Sequence, residues 1–217
     1  MASDAFALEP RRFLRSIDAS RDSVGKRRMK LIDVVEHVRS LTRDAPYAII
    51  GGLAQILWAR KTHTDDIDIA VAAQDLGLAY ERVRRRKGAA GWRLPKAPDE
   101  AHEADNTFEV YHLLYRGSVV DLIAFRDGSF MEEILTTARS VSDLGGIRFI
   151  RPELLLVTHL LRPGAVAALA SVELILARRD KGDFDVLYAR MWAVRAKRES
   201  AFDRTLARAD EILRSDS

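Results

Sequence analysis

The sequence contains no cysteine. That absence excludes a disulfide framework, thiol catalysis and any Cys-ligated zinc or iron–sulfur site, and it fits a reducing, cytoplasmic setting, the location we expect. The basic-then-apolar order of an export signal is missing from Met1 to Pro10, so none is expected there. Long hydrophobic runs are missing too. The longest, Ala165 to Ala177, is interrupted by Ser171 and Glu173 and falls short of the roughly 20 apolar residues a membrane span needs. We expect a buried helix there and no membrane partner. The sequence shows neither internal repeats nor low-complexity tracts. GxSxG, HExxH, the Walker loop and GxGxxG are all lacking, and no side-chain nucleophile stands out.

What is present is a chain of 217 residues, 47% apolar and 31% charged. Such a chain can bury a full core, as one domain or a domain with a small satellite. Its 35 basic and 32 acidic residues leave a net charge of +3, too mild a balance to define a partner. Of the basic residues, 28 are arginine, whose planar fork suits phosphate recognition.

Periodicity divides the chain. Leu31, Val34, Val35, Val38 and Leu41 follow helical spacing, which predicts a helix over about 26–42. Tyr47 to Ile50 is a β-prone run that stops at Gly51-Gly52, read as a turn. Leu53 to Arg60 reads as a helix, Asp66 to Val71 as an alternating strand, and Asp75 to Lys87 as another helix. Phe108 to Tyr115 and Ser118 to Phe125 predict a hairpin around Arg116-Gly117, and Ile147 to Ile150 a last short strand. From Pro152 onward the spacing predicts helices near 152–161, 164–179, 183–196 and 199–214, the last marked by Phe202, Leu206, Ala209 and Leu213. A mixed α/β unit is therefore followed by a helical one, with the boundary near Arg151-Pro152.

The chemistry concentrates in Gly51-Gly52 and Thr64-Asp65-Asp66-Ile67-Asp68-Ile69. On a strand, Asp66 and Asp68 project to one face while Ile67 and Ile69 face the core; Asp65 falls on the side away from the pair. Two carboxylates so placed repel each other unless a cation sits between them, and hard oxygen ligands suit magnesium. Asp121, inside the apolar run Val119-Val120-Asp121-Leu122-Ile123, is costly to bury alone and is the candidate third ligand. Gly51-Gly52, between a strand and a helix, would let backbone amides approach a phosphate. Plainer readings stand beside these: a surface DxD, a simple turn, and an Asp121 that reaches water or Arg116.

Taken together, Gly51-Gly52, Thr64-x-Asp66-Ile67-Asp68 and a downstream Asp121 resemble the minimal nucleotidyltransferases of the DNA polymerase β superfamily, and most closely the bacterial AbiEii-type toxin nucleotidyltransferases, over about residues 45–190. The resemblance implies an α/β (α+β) fold, with a nucleotidyltransferase-type mixed sheet flanked by helices over 1–150, N-terminal helices included. A C-terminal helical bundle would follow over 151–217. It implies two Mg²⁺ ions held by Asp66, Asp68 and Asp121, and an NTP substrate contacted by Gly51, Gly52, Thr64, His159 and Asp183. Arg151-Pro152-Glu153-Leu154-Leu155 is similar to the family's Pro-Glu-x-Leu helix start, and Arg178 to Asp185 to its later basic and acidic segment. Two positions depart from the pattern. His159-Leu160 stands where a phosphate-binding Lys-Leu is usual, and Thr62 where an arginine is common, with Arg60 or Lys61 nearby.

The acceptor is addressed by Arg82 to Lys96, which holds seven basic residues and no acidic one. Arg84, Arg85, Arg86, Lys87 and Arg93 are candidate RNA contacts, with Trp92 placed to stack on a base; a solvated helix end is the plainer reading. The expectation is transfer of a nucleotide from an NTP to RNA, tRNA above all, as a toxin would do with a cognate antitoxin as partner. Nucleotidylation of an aminoglycoside-like small molecule or of a protein is the alternative. So is a catalytically inactive binding partner that keeps the fold.

Overall fold

Alternating apolar residues build the sheet on which the acidic side chains stand. In this computed structural model the described residues are 31–59, 64, 66–85, 90–95, 102–116, 118–162 and 164–215. They form two compact units, one holding 31–53 and 64–150, the other 54–59 and 151–215.

The first unit opens with α1 (Leu31–Thr42), which buries Val34, Val35, Val38 and Leu41 as their spacing predicts; the beginning of that predicted helix, and any helix before it, lies outside the described residues. Then come β1 (Tyr47–Ile49), α2 (Gly51–Trp58, whose residues from Ala54 onward belong to the second unit), β2 (Asp66–Val71), α3 (Ala73–Arg84), β3 (Trp92–Arg93), β4 (His102–Ala104), β5 (Phe108–Tyr115), β6 (Ser118–Phe125), α4 (Gly128–Thr137), β7 (Arg139–Val141) and β8 (Ile147–Phe149). The strands make one mixed sheet in the order β3-β5-β6-β2-β1-β8-β7, with β4 also paired to β5. β2 runs parallel to β6 and β1 to β8, while β1–β2, β5–β6 and β7–β8 are antiparallel. Ile67, Ile69, Val120 and Leu122 are buried along the central pair, each contributing about 1.5–3 kcal/mol by leaving water.

Some elements differ from expectation. Gly51 and Gly52 are the first residues of α2 rather than a turn ahead of it, and α3 ends at Arg84. The strands β3, β4 and β7 and the helix α4 were not anticipated. The three strands have only two or three residues each, too few for a period of two to show.

The second unit holds α5 (Pro152–Leu161), α6 (Ala165–Arg179), α7 (Val186–Arg195) and α8 (Glu199–Ser215). Pro152 opens α5, where a missing N–H costs nothing. Glu153 is fully buried; it pairs with Arg151 at 3.2 Å and accepts the Asp185 N–H at 3.1 Å. Asp185 in turn caps α7 by accepting the Tyr188 N–H. These bonds tie the starts of α5 and α7 together. Helix α6, expected to be buried, is buried only from Ser171 onward; Val166 and Leu169 in its first half are exposed.

Helix α4 offers a check on local structure. Asp127 accepts from the Ser129 and Phe130 N–H groups at 3.0 and 3.2 Å. Asp127→Ala should lower stability by about 1 kcal/mol, read as a lower urea midpoint at an unchanged slope.

Candidate metal and nucleotide site

The acidic side chains meet because of strand register. Asp68 lies directly opposite Asp121 in the parallel β2–β6 pair, and Asp66 opposite Val119. Partners in a ladder project to the same face, and neighbouring strands lie about 4.8 Å apart. Asp66 stands two residues from Asp68 on that face. One carboxylate oxygen from each of Asp66, Asp68 and Asp121 lies within 4.8 Å of the others, and all three residues are half-buried.

Each carboxylate is held by a donor from a different stretch of chain. The Thr64 hydroxyl donates to Asp66 Oδ1 at 2.8 Å. The Gly52 N–H donates to Asp68 Oδ2 at 3.3 Å, at the start of α2. His112 Nδ1 donates to Asp121 Oδ1 at 2.9 Å. The expectation that Asp121 needs a partner is thus met in part by a neighbouring strand, and the partner is His112 rather than Arg116. The signal for His112 was in the hairpin: if Tyr115 faces Ser118, counting back places His112 opposite Asp121.

Gly51 shows why glycine is needed. Its φ is +56°, and a Cβ built there would lie 1.9 Å from Asp68 Oδ2. Only a residue without a side chain lets the chain leave β1, donate the Ile50 N–H to the Asp68 carbonyl at 3.0 Å, and enter α2.

The remaining candidates stand on other elements. His159 is half-buried on α5 in the second unit. Asp183, in the same unit, pairs at 3.3 Å with the fully buried Arg178, whose guanidinium also lies over the Trp58 ring. Arg84 and Arg85 share the Glu81 carboxylate at 2.8 and 2.9 Å and hold its carboxyl below the usual range. Arg93 is exposed on β3, whereas Arg86 and Lys87 lie outside the described residues, as do Arg60, Lys61, Thr62 and Asp65. Trp92 is not placed to stack on a base. It is buried, its ring 4.7 Å from that of Tyr115. On the face of β5 away from His112, Tyr111 stacks with Tyr80 and His102, with ring centroids 4.4 and 4.5 Å apart. Burial, reinforced by Glu109, pushes the Tyr111 phenol up.

No known family model matches the sequence, and no curated protein does. Among solved structures, the crystal structure of ANT(2")-Ia in complex with adenylyl-2"-tobramycin is similar to this chain. The likeness covers 82% of this chain and 97% of that one, at 14% identity and a TM-score of 0.46. It remains a likeness. The chemistry rests on the side chains themselves.

Two glycines should respond in contrary ways. Gly51→Ala should destabilise by about 1–3 kcal/mol through its left-handed backbone alone, with further loss from the clash at Asp68. Gly77→Ala, inside α3 with open space at its Cβ, should stabilise by about 0.5–1 kcal/mol. Thermal or urea unfolding reads both.

Proposed function

We propose that the chain is a Mg²⁺-dependent nucleotidyltransferase that moves an NMP from an NTP to an acceptor hydroxyl, of the AbiEii type its motifs resemble. The observation that carries this reading is the convergence of Asp66, Asp68 and Asp121 on one face of β2 and β6. Three half-buried carboxylates this close repel one another, and an all-oxygen donor set of this kind fits a hard divalent cation. Asp66, Asp68 and Asp121 would hold the ions. Bound there, Mg²⁺ supplies Lewis-acid charge for the acceptor hydroxyl, the α-phosphate and the leaving pyrophosphate.

The rest of the work is positioning. Gly51 and Gly52 bring the backbone amides at the start of α2 beside the carboxylates, where an NTP phosphate would be received. Thr64 fixes Asp66 through its hydroxyl. His159 and Asp183 are proposed nucleotide contacts in the helical unit. Such placement lowers the entropy cost of reaction and orients charge ahead of it, so no side-chain nucleophile is required.

For the acceptor we favour RNA, tRNA in particular, with Arg84, Arg85, Arg86, Lys87 and Arg93 as phosphate contacts and with a toxin's role opposed by an antitoxin. A cationic small molecule is the second reading, favoured by Glu103. Its exposed carboxylate is 3.9 Å from His112 Nε2, adding negative charge beside the Asp121 end of the site.

The test supplies each labelled NTP with Mg²⁺ and either total RNA or an aminoglycoside, and follows label transfer and pyrophosphate release. Transfer to RNA supports the first reading, and transfer to the small molecule replaces it with the second. Asp68→Asn should cut transfer by about 10²–10³-fold or more while the unfolding midpoint is kept. Full activity in that variant would refute the metal assignment. Growth arrest on expression, relieved by the same substitution, would mark a toxin.

A further inference from the structure

Resting on the reading of Asp66, Asp68 and Asp121 as a metal site, we infer that His112 is a positioning residue that fixes the Asp121 carboxylate for cation binding. The two residues face each other in the β5–β6 ladder. His112 Nδ1 is 2.9 Å from Asp121 Oδ1. An ionised carboxylate only accepts, so the hydrogen of this bond sits on Nδ1. The other ring nitrogen is 3.9 Å from Glu103 Oε2, beyond hydrogen-bond reach, so Asp121 is the oriented partner and Glu103 is not.

Burial gives the bond weight. The Asp121 side chain is only 13% exposed and that of His112 29%, so water competes poorly for either group. The geometry also explains why Asp121 needs such a donor. Without one, repulsion from Asp66 and Asp68 would rotate its carboxylate away from them, since the terminal torsion of an aspartate is broad and soft. Asp66 and Asp68 have their own donors in Thr64 and Gly52. His112 plays that part for Asp121, and it acts through Asp121 rather than on the substrate. Partners of this kind typically change metal affinity by about 10–100-fold when lost.

The experiment measures Mg²⁺ binding to the full chain by calorimetry, and Mn²⁺ binding by electron paramagnetic resonance. The variants are His112→Ala, His112→Phe, His112→Asn and Asp121→Asn. His112→Ala should weaken binding about 10-fold. His112→Phe, which keeps a ring but has no N–H, should do the same and serves if the alanine variant does not fold. His112→Asn, whose amide can donate from a similar place, should restore most of the affinity. With NTP present, the metal concentration for half-maximal rate should rise in the Phe variant and return in the Asn variant. Parent-like binding by His112→Phe, or equal loss in Phe and Asn, overturns the inference while Asp121→Asn still abolishes binding. A parent that binds no Mg²⁺, or an Asp121→Asn variant that binds as the parent does, overturns the metal reading and this inference with it.

Discussion

Mutual repulsion of three carboxylates is the constraint around which the first unit is organised. Asp66, Asp68 and Asp121 are held within 4.8 Å by backbone pairing, a geometry that neither burial nor solvation favours by itself. The protein offsets part of the repulsion with three donors of different kinds: a hydroxyl, a backbone amide and an imidazole. Each fixes one carboxylate. That balance leaves an oriented anionic site, which is the condition a hard cation requires.

The same constraint accounts for local oddities of the chain. Position 51 requires glycine on two counts: its backbone is left-handed, and Asp68 occupies the space a side chain would fill. Helix α2 starts directly against the acidic face, with the Gly52 amide donating to Asp68. In the helical unit a comparable economy of charge holds. Buried Glu153 joins the start of α5 to the cap of α7, and buried Arg178 is matched by Asp183.

Much of this was legible in the order of residues. Alternation in Asp66 to Val71 placed both aspartates on one face and the isoleucines behind them, and the lone charge in Val119 to Ile123 flagged Asp121. The hairpin around Arg116 was correct to the residue. What escaped notice lacked a periodic signal. Strands of two or three residues cannot alternate visibly, so nothing in the sequence marks β3 or shows that the Trp92 ring packs against Tyr115. Likewise a pair of glycines reads as a turn, because their role as helix openers depends on Asp68, which arrives from another strand. Helix spacing also makes it legible that Glu81, three and four residues before Arg84 and Arg85, lies within reach of both.

The β5–β6 hairpin separates two kinds of tolerance to change in length. His112 and Asp121 are only nine positions apart, so one residue inserted into β5 between His112 and Tyr115 would move the imidazole to the wrong side of the ladder. Asp68 and Asp121 are joined by a far longer stretch, and each doubling of a flexible loop costs only about 0.6 kcal/mol. Length in the connections of that stretch can therefore vary at little cost, provided β3 and β4 keep their pairing with β5.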